Sequence, residues 1–214
     1  MPYSTVLFDL DGTLTDPTVG ITNSLAYALD SVGRPPPGPE RLREFVGPPL
    51  QDALATLGLD AANLETAVAQ YRDYFGATGM YENEPYPGIE KVLGGLRDRG
   101  VRLAVATSKS AVFAGPILEH FGLAPYFECV VGAELDGSLR HKDQIIARTL
   151  QMLGIPPSGE VIMVGDREHD VVGARRCGLD CIGVLWGFGT AEELTAAGAV
   201  ALVADRAELG RTLD

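Results

Sequence analysis

From residue 86 onward, short apolar segments alternate along the chain with segments of helical periodicity. The apolar segments are compact or β-branched, and they lie at residues 101–106, 127–131, 161–164 and 181–185. The helical patterns lie at residues 89–99, 111–121, 144–153 and 171–177. Because crossovers between parallel strands pass through a helix and are right-handed, this alternation favours a mostly parallel sheet with helices on both faces. The sequence therefore predicts an α/β fold with a Rossmann-like parallel sheet.

The beginning of the chain follows a different pattern. Residues 3–10 form one more short apolar segment, which we place in the same sheet because it is too short to be stable alone. Residues 18–79 show helical spacing instead, with proline-rich breaks at 34–39 and 47–49. A helical block between two parts of one sheet indicates an insertion. The expected domains are an α/β core of residues 1–15 and 86–214 and an inserted helical cap of residues 16–85.

The net charge argues against two classes of partner. The 214 residues include 17 Lys and Arg against 29 Asp and Glu, which gives a net charge of −12. This sign repels the phosphates of nucleic acids and of anionic membranes, so we expect neither as a partner. No apolar run in the sequence approaches the ~18 residues that a membrane-spanning helix needs.

Two features of the sequence bear on location. Residues 1–12 contain no basic segment, long apolar stretch or cleavage site, so we expect no secretory signal. The cysteines are sparse and odd in number, at positions 129, 177 and 181, which fits a reducing compartment better than a disulfide scaffold. We therefore expect a cytoplasmic protein. The sequence shows no coiled-coil repeat and no obvious strand edge prone to association, so the oligomeric state could be a monomer or a homodimer.

Polar side chains follow several predicted strands at the point where each strand ends. Asp-Leu-Asp-Gly-Thr occupies residues 9–13, Thr107 follows the segment at 101–106, and Asp166 and Asp170 follow the segment at 161–164. Lys142 lies at the predicted start of a helix. Because parallel strands present their carboxyl ends, where ligands bind, at one edge of the sheet, we expect these side chains to meet there.

Such a set of side chains can support only a few kinds of reaction. The four carboxylates of this group would repel one another strongly at pH 7 unless a cation held them, and oxygen-only ligands suit Mg²⁺. A carboxylate beside Mg²⁺ and a lysine stays ionised and can attack phosphorus, which gives an aspartyl-phosphate. Asp11 could protonate the leaving oxygen and then take a proton from water. Thr107 and Lys142 would bind the phosphoryl oxygens, and Gly12 would let the backbone come close.

The order and spacing of these motifs resemble those of the haloacid dehalogenase-like superfamily of phosphohydrolases. The residues that carry the resemblance are the 9–13 motif, Thr107, Lys142, and Gly-Asp-Arg-Glu-His-Asp at 165–170 with Ala174. Together they extend over essentially the whole chain, and the inserted block resembles that family's small α-helical cap. Three further segments look most similar to the phosphoglycolate phosphatase and 5′-nucleotidase-like branch, and they lie at residues 46–50, 81–83 and 183–189.

The resemblance implies a role for each motif aspartate. Asp9 would be the nucleophile, and Asp11 would be the general acid and base. Mg²⁺ would be bound by the carboxylate of Asp9, the main-chain carbonyl of Asp11 and the carboxylate of Asp166. Asp170 would assist, either directly or through a water molecule.

One departure from the family pattern affects the lysine. Many relatives have proline after this lysine, whereas Asp143 follows Lys142 here. Lys109, two residues after Thr107, is therefore a second candidate for balancing the phosphate charge, although we prefer Lys142.

Simpler interpretations of the same residues also exist. Asp166 and Asp170 can cap the helix that follows them, and Thr107 can cap the helix predicted from residue 111. Trp186 and Phe188 can either line the mouth of the site or pack in the core. Chance easily explains one such placement, but it does not easily explain four compatible ones, namely three strand ends and the lysine at a helix start.

We expect a Mg²⁺-dependent phosphatase that hydrolyses a small phosphomonoester, of the phosphoglycolate or nucleoside 5′-monophosphate type, through an aspartyl-phosphate. The expected partner is thus a small-molecule phosphate ester. Two alternatives stay open: a phosphomutase, such as a sugar phosphomutase, and a non-enzymatic phospho-acceptor domain. The helical insertion argues against the phospho-acceptor, and so does Asp11, which would shorten the life of a phosphoaspartate signal.

Overall fold

The computed structural model describes residues 3–46 and 50–214, and the chain divides into two units. The first unit is Met1–Thr15 together with Pro85–Asp214, and the second is Asp16–Glu84. The strands are β1 (Thr5–Phe8), β2 (Thr15–Asp16), β3 (Glu84–Pro85), β4 (Arg102–Ser110), β5 (Cys129–Ala133), β6 (Val161–Gly165), β7 (Asp180–Val184) and β8 (Ala201–Val203). β2 and β3 pair with each other, and each contains one of the two points at which the chain passes from one unit to the other.

The first unit contains a parallel sheet with β1 in a central position. In the described part of the chain, six strands form this sheet in the order β5-β4-β1-β6-β7-β8. Every adjacent pair is parallel, and β1 lies between β4 and β6. The parallel α/β fold that the sequence predicts is confirmed.

β1 is buried on both faces, which explains its continuous apolar run. The helices of the second and first units are, in chain order, α1 (Thr18–Ser31), α2 (Pro39–Arg43), α3 (Leu50–Ala55), α4 (Ala61–Ala77), α5 (Ile89–Asp98), α6 (Ala111–His120), α7 (Lys142–Leu153), α8 (Glu168–Arg176), α9 (Ala191–Ala197) and α10 (Arg206–Thr212). Leu7 belongs to one buried cluster with residues of α7, α8 and α9. Val6 and Phe8 are also fully buried and, by strand alternation, face the other way. A strand buried on both faces has no polar side, as is typical of parallel sheets.

The second unit is helical. α1 packs against α4, and each contributes fully buried apolar side chains, such as Leu25 and Phe75. Asp60 caps α4 by accepting a hydrogen bond from the Asn63 amide at 2.9 Å. The break predicted at 34–39 ends where α2 begins. The break predicted at 47–49 lies outside the described residues, as does the middle of the 46–50 segment.

Sequence patterns locate the long elements and miss three short ones near the C-terminus, namely β8, α9 and α10. Leu194 is the fully buried apolar residue of α9, and Leu209 is that of α10. A single buried position in seven residues gives no readable periodicity. Among the described residues, no helix combines the length and apolar character needed to cross a bilayer.

Candidate active site

Three buried aspartates meet at the carboxyl ends of β1 and β6. Asp9 directly follows β1, and Asp166 directly follows β6. Since Phe8 pairs with Val164 and the Asp9 amide donates to the Val164 carbonyl at 2.9 Å, the two aspartates leave the sheet at the same level. Asp170 lies in the first turn of α8. One carboxylate oxygen of each aspartate lies within 4.8 Å of the others, and we call Asp9, Asp166 and Asp170 the three-acid cluster.

Lys142 joins two members of this cluster. It is the first residue of α7, and its Nζ forms ion pairs with Oδ1 of Asp9 and with Oδ1 of Asp170, both at 2.6 Å. The packing of α7 against α8 brings the lysine to the aspartates. Burial lowers the pKa of Lys142, but the charges of Asp170 and Asp9 raise this pKa by more. The net shift is upward, so the side chain stays an ammonium.

Both carboxylate oxygens of Asp166 accept hydrogen bonds. The Thr13 hydroxyl donates to Oδ1 at 3.1 Å, and the Phe188 amide donates to Oδ2 at 2.8 Å. Asp166 is fully buried. Burial, together with the negative charges of Asp170 and Asp9, raises the pKa of Asp166 well above its ordinary value despite these hydrogen bonds. Hydrogen bonds therefore fix the position of this carboxylate, but nearby positive charge does not offset the cost of ionising it.

Asp170 combines a contact to the helix backbone with membership of the cluster. Its Oδ2 accepts a hydrogen bond from the Arg167 amide at 3.1 Å, which closes the first turn of α8. Burial raises the pKa of Asp170, the charge of Lys142 lowers it and the charge of Asp9 raises it, with an upward net shift. Asp170 thus contacts the start of α8, as expected, and also lies beside the other two acids of the cluster.

Two glycines let the chain pass directly against Asp166. Gly12 has a φ of +85°, in the left-handed region, and a methyl group on its Cα would overlap the Asp166 carboxylate. A methyl group on Gly187 would overlap the same side chain and the Gly12 carbonyl. We expected Gly12 to bring the backbone close to a phosphoryl group, and its close neighbour in the structure is Asp166. Both positions therefore require glycine for packing around this carboxylate.

Asp11 is paired with a different lysine. The Nζ of Lys109 donates to Oδ2 of Asp11 at 2.5 Å. The other oxygen, Oδ1, is buried and has no hydrogen-bond partner among the described residues. Burial raises the pKa of Asp11, and the charge of Lys109 opposes this rise without cancelling it. Lys109, our second candidate for the phosphate, thus contacts Asp11, whereas Lys142 contacts Asp9.

Thr107 is buried near the end of β4. Its hydroxyl accepts a hydrogen bond from the Lys109 amide at 3.1 Å. The pairing of β4 with β5 shifts between Thr107 and Ser110, and β4 continues past its predicted end at residue 106. This irregular stretch of strand therefore holds both Thr107 and the lysine that contacts Asp11.

The structure brings one group of the predicted residues into direct contact or close proximity, namely Asp9, Asp166, Asp170 and Lys142. Asp11 and Thr107 are each linked to Lys109. Sequence reasoning missed the two hydrogen-bond donors of Asp166, which are Thr13 and the amide of Phe188. The glycines on both sides of Phe188 were a usable signal, because they indicate a close backbone approach.

The donor set fits a hard divalent cation. Three buried carboxylates lie together, and one lysine is paired with two of them. Burial and mutual repulsion raise the pKa of Asp166 and of Asp170, so their ionised forms need more positive charge than Lys142 supplies. The cluster offers only oxygen atoms, which Mg²⁺ prefers. Its three carboxylates are the groups that could hold such an ion.

Comparisons with known proteins agree with this geometry. A family model described as "Haloacid dehalogenase-like hydrolase" matches residues 6–184. A 5′-nucleotidase of Pseudomonas aeruginosa is 45% identical over 213 residues, which are 99% of this chain and 96% of that protein. Tyrosine-protein kinase PtkA of Mycobacterium tuberculosis is 44% identical over 187 residues, 87% of this chain and 64% of that protein. The crystal structure of a predicted phosphatase from Clostridium acetobutylicum has a TM-score of 0.92 at 46% identity, covering 100% of this chain and 99% of that one.

Phosphoglycolate phosphatases of Pseudomonas species are also similar, at 30 to 31% identity over 191 residues, 86% of this chain and 70% of theirs. The resemblance inferred from the sequence motifs, including the similarity to 5′-nucleotidases and phosphoglycolate phosphatases, is confirmed. The family model matches well over half of the chain. This protein belongs to the haloacid dehalogenase-like hydrolase family.

Proposed function

We propose that this protein is a Mg²⁺-dependent phosphatase that hydrolyses a small phosphomonoester through a phosphoaspartate at Asp9. The observation that carries the proposal is the environment of Asp9, whose carboxylate is bonded to Lys142 and lies beside two further buried carboxylates. Membership of the hydrolase family and the names of the relatives support hydrolysis of phosphoric monoesters.

In the first step, a carboxylate oxygen of Asp9 attacks phosphorus, and the bond from phosphorus to the ester oxygen breaks. The leaving alcohol takes a proton from Asp11. Burial raises the pKa of Asp11 and so favours the protonated form that this step needs. Because Lys109 is bonded to Oδ2, the buried Oδ1 is the oxygen available to face the leaving group.

In the second step, a water molecule attacks the phosphorus of the phosphoaspartate. Asp11, now a carboxylate, takes the proton of that water, and the bond from phosphorus to Asp9 breaks. Inorganic phosphate leaves, Asp9 is again a carboxylate and Asp11 is again protonated. One water is consumed in each turnover, and one alcohol and one phosphate are released.

Phosphate binding is assigned to Lys142 and Thr107. The ammonium of Lys142 balances the negative charge of the phosphoryl oxygens, and the Thr107 hydroxyl donates a hydrogen bond to one of them. Asp9, Asp166 and the Asp11 carbonyl would hold Mg²⁺, which when bound would supply positive charge that offsets the repulsion between carboxylates and phosphate. Asp170 would assist in holding it, directly or through a water.

We also propose that residues 16–85 act as a cap for a core of residues 1–15 and 86–214. The helical unit Asp16–Glu84 begins three residues after the 9–13 motif and has its own buried apolar residues. A cap of this kind keeps water out during transfer to Asp9 and selects the leaving group.

The proposed substrates are nucleoside 5′-monophosphates or phosphoglycolate, since relatives bear the names 5′-nucleotidase and phosphoglycolate phosphatase. The net charge of −12 supports a small-molecule partner rather than nucleic acid, and the sparse cysteines support a cytoplasmic location.

A second candidate function is transfer of a phosphoryl group to a tyrosine hydroxyl, which the similarity to PtkA favours. In that reaction, a phenol hydroxyl rather than water would accept the phosphoryl group. A phosphomutase would also return the phosphate to an alcohol, in that case one on its own product.

A panel of phosphate esters tests these functions against one another. The panel holds p-nitrophenyl phosphate, phosphoglycolate, nucleoside 5′-monophosphates and sugar phosphates with Mg²⁺, and free phosphate is measured along with kcat/KM. We expect sustained release of phosphate by the wild-type protein and none by Asp9→Asn. Release of at most one equivalent of the leaving alcohol, with the phosphoryl group retained on the protein, would show a phospho-acceptor and refute the proposal. Transfer from ATP to a tyrosine peptide, or conversion of one sugar phosphate to its isomer without free phosphate, would favour the alternatives.

A further inference from the structure

An aromatic cluster of the first unit has no role in the reaction steps above. The guanidinium of Arg206 lies 5.2 Å from the centre of the Trp186 ring and 6.0 Å from that of Tyr86. The two rings are in edge contact, with centroids 6.4 Å apart. The Nε of Arg206 also donates to the Pro87 carbonyl at 3.1 Å, which anchors the arginine at the start of α10. We call Tyr86, Trp186 and Arg206 the aromatic clamp.

The aromatic clamp is bonded to the segment that follows the 9–13 motif aspartates. The indole Nε1 of Trp186 donates to the carbonyl of Thr13 at 3.1 Å. The Tyr86 amide donates to the carbonyl of the next residue, Leu14, at 3.0 Å. Thr13 in turn donates from its hydroxyl to Oδ1 of Asp166. A chain of contacts therefore runs from Arg206 through Trp186 and Thr13 to a carboxylate of the three-acid cluster.

The other oxygen of Asp166 depends on the same loop. Phe188, two residues after Trp186, donates its amide to Oδ2, and Gly187 between them lies directly against the carboxylate. Both oxygens of Asp166 thus accept from residues linked to Trp186, since Thr13 is hydrogen-bonded to its indole and Phe188 lies two residues after it. Packing alone would account for a half-buried aromatic ring, but it would not require an indole N–H bonded to the main chain of the motif.

We propose that Trp186 and Arg206 are positioning residues that orient Asp166 for a divalent cation. The inference rests on the proposed function, in which Asp166 is a Mg²⁺ ligand. Groups that orient a metal ligand typically change metal affinity by about 10- to 100-fold when they are removed. A contact between an arginine and an aromatic ring at a partly exposed position is worth less, about two- to fivefold.

Direct measurement of Mg²⁺ binding tests the proposal without any turnover. Metal-free wild-type protein and each variant are titrated with Mg²⁺ by calorimetry. Trp186→Phe keeps an aromatic ring but loses the N–H donor, and we expect about tenfold weaker binding. Arg206→Met should weaken binding about two- to fivefold, and Arg206→Lys should restore part of this loss because it keeps the cation. Arg211→Met, at an exposed position in the last turn of α10, is the matched control and should bind as the wild type does.

The sequence contains one tryptophan, so its fluorescence reports on the aromatic clamp directly. We expect Mg²⁺ to change the Trp186 emission of the wild type and of Arg211→Met at the same concentration. Arg206→Met should shift the metal-free emission to the red and move the Mg²⁺ midpoint upward. At saturating Mg²⁺ its kcat should return to within about twofold of wild type, since the defect is in metal affinity and not in chemistry. A merely structural role would instead lower kcat at every Mg²⁺ concentration.

Two outcomes would overturn the inference, and they are distinguishable. Equal Mg²⁺ affinity in wild type, Trp186→Phe and Arg206→Met would show that the aromatic clamp does not position Asp166, while the proposed function would stand. Absence of Mg²⁺ binding by the wild type itself would refute the proposed function, and the inference with it. If Trp186→Phe fails to fold, the Arg206 variants decide the question, because they change only a partly exposed side chain.

Discussion

The Nζ of Lys109 is bonded to Oδ2 of Asp11 at 2.5 Å, although 98 positions separate the two residues in the chain. Lys142, by contrast, is paired with Asp9 and Asp170. The two lysines therefore serve different parts of the proposed reaction, Lys109 at the proton donor and Lys142 at the nucleophile.

Replacing each lysine should produce a different dependence on the leaving group. Lys142→Met removes a charge that every substrate phosphate needs, so kcat/KM should fall by about 10²–10³-fold for p-nitrophenyl phosphate and phosphoglycolate alike. Lys109→Met disturbs the proton donor. The loss of kcat/KM should therefore be much larger for phosphoglycolate, whose leaving alcohol must be protonated, than for p-nitrophenyl phosphate, whose leaving group departs as p-nitrophenolate. Steady-state kinetics with both substrates checks this. Equal losses in Lys109→Met would contradict the assignment of Asp11 as the acid.

Asp11→Asn should separate the two half-reactions. With p-nitrophenyl phosphate, transfer to Asp9 needs no proton donor, but hydrolysis of the phosphoaspartate loses its base and should slow by about 10²–10⁴-fold. Stopped-flow absorbance should show a burst of close to one equivalent of nitrophenolate, followed by slow turnover. Asp9→Asn is the control and should give no burst. A linear trace without a burst in Asp11→Asn would mean that Asp11 is not needed for the second step.

Two glycines with similar backbone angles should respond differently to alanine. Gly12 and Gly88 have φ values of +85° and +89°, but only at Gly12 does an added methyl group meet Asp166, whereas nothing lies within 4 Å of it at Gly88. Gly88→Ala should lower the free energy of unfolding by about 1–2 kcal/mol and leave activity intact. Gly12→Ala should carry the same backbone cost, lose further stability through the overlap with Asp166, and lower kcat/KM by about 10²-fold. Denaturant unfolding and kinetics on both variants measure this contrast.

Mg²⁺ should stabilise the folded protein through Asp166. At a hundred times the dissociation constant, a bound ligand raises the free energy of unfolding by about 2.7 kcal/mol. Thermal unfolding with Mg²⁺ and with EDTA should therefore differ in the wild type and much less in Asp166→Asn. Since burial and the charges of Asp170 and Asp9 disfavour the ionised form of Asp166, we expect the metal-free variant to unfold at no lower temperature than the metal-free wild type. Equal stabilisation of both proteins by Mg²⁺ would place the ion elsewhere.

The strand ends were predictable because they depend on a general property of parallel sheets. β1 and β6 finish at a common edge, so Asp9 and Asp166 were expected on the same edge once the strands were recognised, and the strand order, in which β1 and β6 are neighbours, brings them close together. The end of β4 was not predictable in the same way. Its irregular pairing between Thr107 and Ser110 carries the strand beyond its apolar run, and no periodicity in the sequence marks it.

The hydrogen-bond partners within the site were beyond sequence reasoning. Thr13 and Phe188 both donate to Asp166, from 153 and 22 positions away. Both are ordinary residue types whose role comes from tertiary placement, since one donates a hydroxyl and the other only a main-chain amide. The pairing of Lys109 with Asp11 rather than Asp9 likewise depends on the path of β4.

The central position of β1 has a consequence for biosynthesis. The strand that precedes Asp9 is made before both of its neighbours, which begin at Arg102 and Val161, so a nascent chain cannot flank it on both sides until the residues from Val161 onward have emerged. The donors of Asp166 are complete only when Phe188 has been added. A ribosome that stops before Phe188 therefore releases a chain that contains Asp9 but lacks a donor of Asp166, so a carboxylate made early enters a complete site only late.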